Sequence, residues 1–376
     1  MDIRRHRILN ALVHFASKDL WEFYLSVAIR AFGLSMVSLF IPIYMLDLGI
    51  SVKEIFLYYI ILYSVFLILV VPVTKISCRI GFKHTILFSI PLQIVGIIFL
   101  YFSNTVGNFY LVAIWFGVVD SIFWMGYHLY ISKISSKSKR GKQLSVNNIF
   151  ASLMNVASPF IGGLILAFFG FKVLFIVSII IVFLSIIPLF LSKDVSEPFD
   201  VNLRLLFSNK KFKSSMAIVG YGADVVANGI IWPIFVYLYI ISNYAGLGLL
   251  VTLSLLVSVV VAFVVGYFTD KHTLGTLKLG VLFNILVWVF RLLTTSVGLI
   301  YLIDMFRGFA KVMVDIPFDT ITYNRAVGSE HVKNIVYREI LLQVGKILIF
   351  VIMFFVMDYL IGFMTVILGN LWIFFL

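Results

Sequence analysis

The sequence predicts an all-α polytopic membrane protein: twelve transmembrane helices in two pseudo-symmetric six-helix halves around a central cavity. Four observations lead there. Of its 376 residues, 62% are hydrophobic and only 12% charged, with a mean hydropathy of +1.10, whereas soluble domains carry about 25% charged residues. Apolar runs of about 17–25 residues, long enough to cross a bilayer, number roughly twelve and use nearly the whole chain. Basic residues alternate from loop to loop, and the two halves share features at one fixed offset.

Taken in order, the predicted spans 1 and 2 are Phe23–Leu46 and Ile55–Val73, joined by a short turn at Asp47–Glu54. Spans 3 and 4 are Thr85–Phe102 and Phe109–Ser132, followed by the basic loop Lys133–Lys142. Spans 5 and 6, Val146–Phe169 and Val173–Leu191, lead into the longest polar stretch, Ser192–Ser214, which contains Pro198 and the cluster KKFK. Spans 7 to 10 are Met216–Ile241, Leu247–Phe268, Leu277–Leu293 and Gly298–Phe318; spans 11 and 12 are Ile335–Met357 and Leu360–Leu376. Residues 1–192 thus form the N-terminal half, 193–214 a cytoplasmic linker and 215–376 the C-terminal half. The first twenty residues are basic but lack a long apolar core before Lys18 and a small-residue cleavage site, so they read as a retained amphipathic segment.

Loops after even-numbered spans hold Arg79, Lys83, Lys137, Lys139, Arg140, Lys142, Lys210, Lys211, Lys213, Lys271, Arg325 and Lys333. Loops after odd spans hold little beyond Lys53 and Lys172. By the positive-inside rule both termini are expected in the cytoplasm, with the chain multi-pass in the cell membrane. The net charge of +12 therefore orients the protein and does not point to nucleic acid; the expected partner is the lipid bilayer. Cys78 is the only cysteine, which rules out an intrachain disulfide, and no His-Glu zinc motif or nucleotide loop calls for a metal or cofactor.

Pro42, in FIPIY, and Pro233, in WPIF, lie 191 residues apart, as do Gly117 and Gly308. Duplicated halves of this kind place a site near mid-membrane between the repeats. In span 10, Asp304, Arg307, Lys311 and Asp315 follow one another at offsets of three, four and four, within an arc of roughly 80° at about 100° per residue. Facing lipid, four such side chains would oppose insertion by roughly 10 kcal/mol. The stripe must face protein or water, as a substrate or ion path or as ion pairs that lock helices together.

The loop after span 8 reads GYFTDK, Gly266–Lys271, and resembles the signature G-x-x-x-D-[RK]-x-G-[RK]-[RK] of the major facilitator superfamily. The loop after span 2, TKISCRIGFK, fits the same frame through Arg79, Gly81 and Lys83, with Thr74 and Cys78 in place of the glycine and the aspartate. Cys78 and Asp270 lie 192 residues apart. The resemblance implies a cytoplasmic gate between the halves, resting here on Asp270 and Lys271 together with Gly266. It also implies that spans 1, 4, 7 and 10 line the cavity while 3, 6, 9 and 12 face lipid. Arg30, Asp120 and Asp224 lie in spans 1, 4 and 7; Lys346 is a deep charge in supporting span 11, and Arg291 lies near a predicted end of span 9. SPFIGG, with Pro159, Gly162 and Gly163, is similar to the core of a motif associated with family antiporters.

The resemblance makes the expected function secondary active transport of a small organic solute by alternating access, in proton-coupled efflux or, alternatively, uptake by symport. The proton gradient is the expected driving force and the expected assembly a monomer. From other classes come an intramembrane enzyme using Asp315 and Asp319, with Asn324 and Arg325 beyond, and a non-transporting receptor or scramblase. Local pairs are expected between Asp304 and Arg307 and between Lys311 and Asp315, while Asp120 is expected to pair with Arg30 of span 1 or, across the cavity, with its repeat equivalent Lys311. Asp224 has no basic residue within a turn and is the first candidate proton carrier, with Asp120 next. His128 and Asp319 are repeat equivalents, and Trp115, Trp124, Tyr127, Tyr221 and Trp232 are candidates to line the cavity.

Overall fold

The computed structural model describes residues 18–135, 143, 146, 153–191, 194–197, 212–326 and 331–376. Helix is the only regular structure among them, and nine stretches are long and apolar enough to cross a bilayer. Two of the longest helical runs contain a break. Gly170 takes a left-handed φ of 75° between spans 5 and 6, and His272 leaves the helical region, at φ −139° and ψ 56°, inside Tyr244–Leu293. A continuous helix of 50 residues would be about 75 Å long, more than twice the hydrocarbon thickness, so the break at His272 separates spans 8 and 9. Span 10, Val297–Arg325, falls outside the nine because of its charges, and span 12, Tyr359–Ile373, because of its length. The described helices accommodate twelve crossings.

Spans 2, 3, 4 and 11 are Val52–Ile80, Phe82–Phe102, Val106–Ile134 and His331–Val356. Several ends are set locally. Ser51 and Glu54 form a capping box at the start of span 2, while Thr105 and Asn243 cap spans 4 and 8. Spans 2, 10 and 11 run further at one end than their hydropathy suggests, because a helix continues into water once polar residues no longer cost insertion energy.

The repeated prolines have a shared structural role. Span 1 is Lys18–Ser38 continued by Ile41–Asp47, and span 7 is Phe212–Val226 continued, through a π-helical turn at Ala227–Ile231, by Trp232–Tyr239. Pro42 and Pro233 each stand in the first turn of the continuing helix, where a missing N–H leaves no bond unmade. Gly117 and Gly308 are also equivalent. A Cβ on Gly117 would sit 2.6 Å from the Leu62 carbonyl oxygen of span 2, and one on Gly308 1.9 Å from that of Ser254 in span 8.

The halves meet where span 2 packs on span 11 and span 5 on span 8. At the latter crossing a Cβ on Gly163 would lie 2.5 Å from the Tyr244 carbonyl oxygen, and one on Gly248 2.3 Å from that of Pro159. Gly162 faces the Met36 carbonyl of span 1 in the same way. The SPFIGG segment is thus a backbone-to-backbone contact between halves. Nearby, the Tyr244 hydroxyl donates to Asp47 Oδ2 at 2.5 Å, and Tyr59 stacks on Phe350 with ring centres 5.1 Å apart. Gly163→Leu is expected to wedge this end open, so that a cysteine replacing Asp47 reacts severalfold faster with an impermeant maleimide; an unchanged rate would show that the crossing is loose.

Candidate functional site

The cavity of about 420 Å³ between the halves is within the usual range for a small-molecule site. Its charged wall belongs to the C-terminal half. In the span 10 stripe, Asp304 turns to span 9 and not to Arg307. Arg291 approaches its Oδ1 with Nη2 at 2.5 Å and Nε at 3.0 Å, and the Trp232 indole donates to Oδ2 at 3.0 Å. Arg291 also stacks over Trp232, 4.2 Å from the ring centre. Arg307 Nε instead donates to Asn228 Oδ1 at 2.8 Å, and the same oxygen accepts Arg291 Nη1 at 2.7 Å. Asn228 lies on the π-helical turn, a local deformation that often marks a functional site. Lys311 and Asp315 form the local pair expected of their spacing, and Tyr221 adds a hydroxyl to Asp315 at 2.9 Å.

One turn further on, Arg338 of span 11 bridges two carboxylates, Asp319 at 2.5 Å and the adjacent Glu339. Span 4 of the other half closes on this group. His128 shares a 2.5 Å hydrogen bond with the Tyr323 hydroxyl through Nδ1, and its Nε2 lies 3.4 Å from Glu339 Oε1. Ser132 meets His331 at 2.8 Å, and His331 in turn meets Glu197 at 2.9 Å. His128 and Asp319 are therefore not merely equivalent by repeat: Arg338 joins them across the interface.

The other sequence-selected residues divide. Asp224 is buried behind the cavity wall, where its Oδ1 accepts from Asn284 at 2.9 Å, Trp288 at 2.8 Å and Asn370 at 2.9 Å. Spans 9 and 12, expected to face lipid, thus turn polar side chains inward. Arg30 also lies outside the cavity lining; it donates to Gln93 at 3.2 Å and stacks on Phe123 at 3.4 Å. Asp120 is half-buried nearby, and no cation among the described residues lies within the 4.0 Å of an ion pair. Lys346 does reach the cavity, with Nζ 4.9 Å above the Tyr63 ring. Trp124, Tyr127, Tyr221 and Trp232 line the space; Trp115 does not, its indole being spent on the Leu92 carbonyl. Sequence reasoning missed Arg291, Asn228, Arg338 and Glu339. The last two lie within the predicted span 11, Ile335–Met357, so near its start that they pass for charges at a helix end.

A family model of the major facilitator superfamily matches residues 23–332. The chain belongs to the major facilitator superfamily. No curated protein matches it by sequence. Among solved structures it resembles the human organic anion transporter MFSD10 (TETRAN) at 11% identity and a TM-score of 0.69, covering 95% of this chain and 98% of that one. It is similar also to a bacterial homologue of the iron transporter ferroportin in an outward-facing state, at 12% identity and a TM-score of 0.69, with coverage of 94% and 98%. At these identities the likeness is one of fold. Membership places the chain with transporters, and Asp315 and Asp319, the pair considered for intramembrane catalysis, are each engaged by a cation.

Two features of this facilitator bear on the signature loops. Where Cys78 replaces the motif aspartate, Asp194 from beyond span 6 supplies a carboxylate: it accepts the backbone N–H of Lys83 at 2.8 Å and of His84 at 3.3 Å, capping span 3. Gly81, at φ 99°, makes the turn, and a Cβ there would collide with Asp194. Asp194→Ala is expected to cost about 1 kcal/mol through the lost cap, and Cys78→Ser nothing measurable; equal thermal shifts would contradict this. In the second loop Gly266 is buried, Arg79 of the first copy and Asp270 are exposed, and Lys271 lies over Tyr267 at 4.5 Å.

Proposed function

We propose that this facilitator moves a small organic solute by alternating access, in exchange for protons, and exports it across the cell membrane as a monomer. The observation that carries the reading is the closure at the end bearing the basic loops, where His128 of one half meets Tyr323 and Glu339 of the other. Rocking the halves apart there would separate an imidazole from a carboxylate. A buried acid whose cationic neighbours change binds and releases protons, which is what coupling needs. Arg338, Asp319, Gln343 and Lys346 also face Glu339 and set its charge balance. The contact of SPFIGG with span 8 favours export only through its likeness to the antiporter motif.

Purified protein in liposomes with an imposed pH gradient tests the proposal. Antiport predicts that a solute accumulates in the compartment that loses protons; accumulation with the gradient reversed would establish symport, and no movement of any solute would favour a receptor. For orientation, a cysteine replacing Ser242 in a Cys78→Ser background is expected to label from outside, and one replacing Lys271 only after permeabilisation. The reverse would place the basic end outside.

A further inference from the structure

The charged side chains of the cavity sum to one surplus positive charge, and two of its cations form no ion pair among the described residues. Five cations line it, Arg291, Arg307, Lys311, Arg338 and Lys346, against four carboxylates. Asp304 is taken by Arg291 and Asp315 by Lys311, while Asp319 and Glu339 both go to Arg338. Arg307 is only 8% exposed, and its one hydrogen bond among the described residues is to a neutral amide, Asn228. Its Nη1 is buried without a hydrogen-bond partner among the described residues. A guanidinium so placed is costly unless something completes it. Lys346 has no ion pair among the described residues and rests on the rings of Tyr63 and Phe66. The nearby Arg30 and Asp120 oppose each other and leave this surplus unchanged. On the facing wall the N-terminal half presents Trp124 and Tyr127.

We propose that the cavity selects an amphipathic organic anion. A carboxylate or phosphate monoester completes the free edge of Arg307, with Lys346 adding a second positive charge, and the apolar body of the solute lies against Trp124 and Tyr127. Asn228 is a positioning residue: by occupying Arg307 Nε it leaves the two Nη groups, the edge that suits a planar oxyanion, without a hydrogen-bond partner among the described residues. The inference rests on the transport reading only in treating the bound anion as cargo.

Isothermal titration calorimetry on the purified full-length protein tests it with three probes of one shape: 2-naphthoate, 2-naphthyl phosphate and (2-naphthylmethyl)trimethylammonium. At least one oxyanion is expected to bind about tenfold or more tighter than the cation, and Arg307→Gln and Lys346→Gln are each expected to weaken it about tenfold, the effect of losing one charge-assisted contact. Comparison of the two oxyanions identifies the headgroup preferred. Should Arg307→Gln fail to fold, the half-buried Lys346→Gln decides. Tighter binding of the cation, no binding of either anion, or anion binding unaffected by the folded variants would overturn the inference. Anion binding without anion transport in liposomes would defeat the transport reading and leave the recognition site standing; transport confined to cations would do the opposite.

Discussion

Replacing Asp304 by alanine is expected to destabilise the protein by about 3–5 kcal/mol, because it leaves the Arg291 guanidinium as an uncompensated buried charge. The two side chains are 6% and 2% exposed, and the Trp232 indole loses its acceptor in the same stroke. Removing both charges should hurt far less: Arg291→Met combined with Asp304→Leu is expected to recover most of the lost stability, since a buried pair costs nearly as much to desolvate as its attraction returns. The double variant should still be inactive in transport, because Asn228 then holds Arg307 without its second arginine. Unfolding midpoints in detergent check this. An Asp304→Ala protein that unfolds with the wild type would show that water already reaches the pair.

The second large effect concerns coupling, and it sets two buried acids against each other. Glu339→Gln is expected to abolish gradient-driven accumulation while leaving solute exchange without a gradient, because the side chain keeps its shape and an acceptor oxygen for Arg338 but has no carboxyl proton to exchange. Asp224→Asn should behave in the opposite way. One amide oxygen replaces a carboxylate that now serves three donors on one atom, so stability falls by about 1–3 kcal/mol while coupling survives. Loss of coupling in Asp224→Asn with Glu339→Gln intact would return the proton path to span 7. Flux in liposomes at matched protein density, with and without the gradient, separates the outcomes.

Why Asp224 reads as a cavity residue in the sequence and not in the fold can be traced to its partners. The spacing of charges along span 7 shows that no basic residue lies within a turn, and it does not. What spacing cannot show is that Asn284 and Asn370, on helices 60 and 146 residues further along the chain, both donate to it. Neutral amides leave no mark in a charge pattern. The same blindness assigned Asp304 to Arg307, its neighbour on the helix, when the stronger partner was Arg291, which hydropathy had placed at a helix end. By contrast the Lys311–Asp315 pair was legible, since both partners sit on one helix and four residues apart is the distance at which side chains meet.

Composition, apolar run length and loop charge determine by themselves that this chain is a bundle of membrane helices, because each is a statement about transfer from water to hydrocarbon and needs no knowledge of neighbours. The repeat offset belongs there too: Pro42 with Pro233 and Gly117 with Gly308 answer local demands, a helix start and a close helix crossing, that recur in each half. Which charges share a cavity is decided only by tertiary structure. An ion pair forms over about 4 Å, and the packing of span 9 on span 10 and of span 11 on span 4 settles which side chains come that close, leaving Arg307 and Lys346 without a carboxylate of their own.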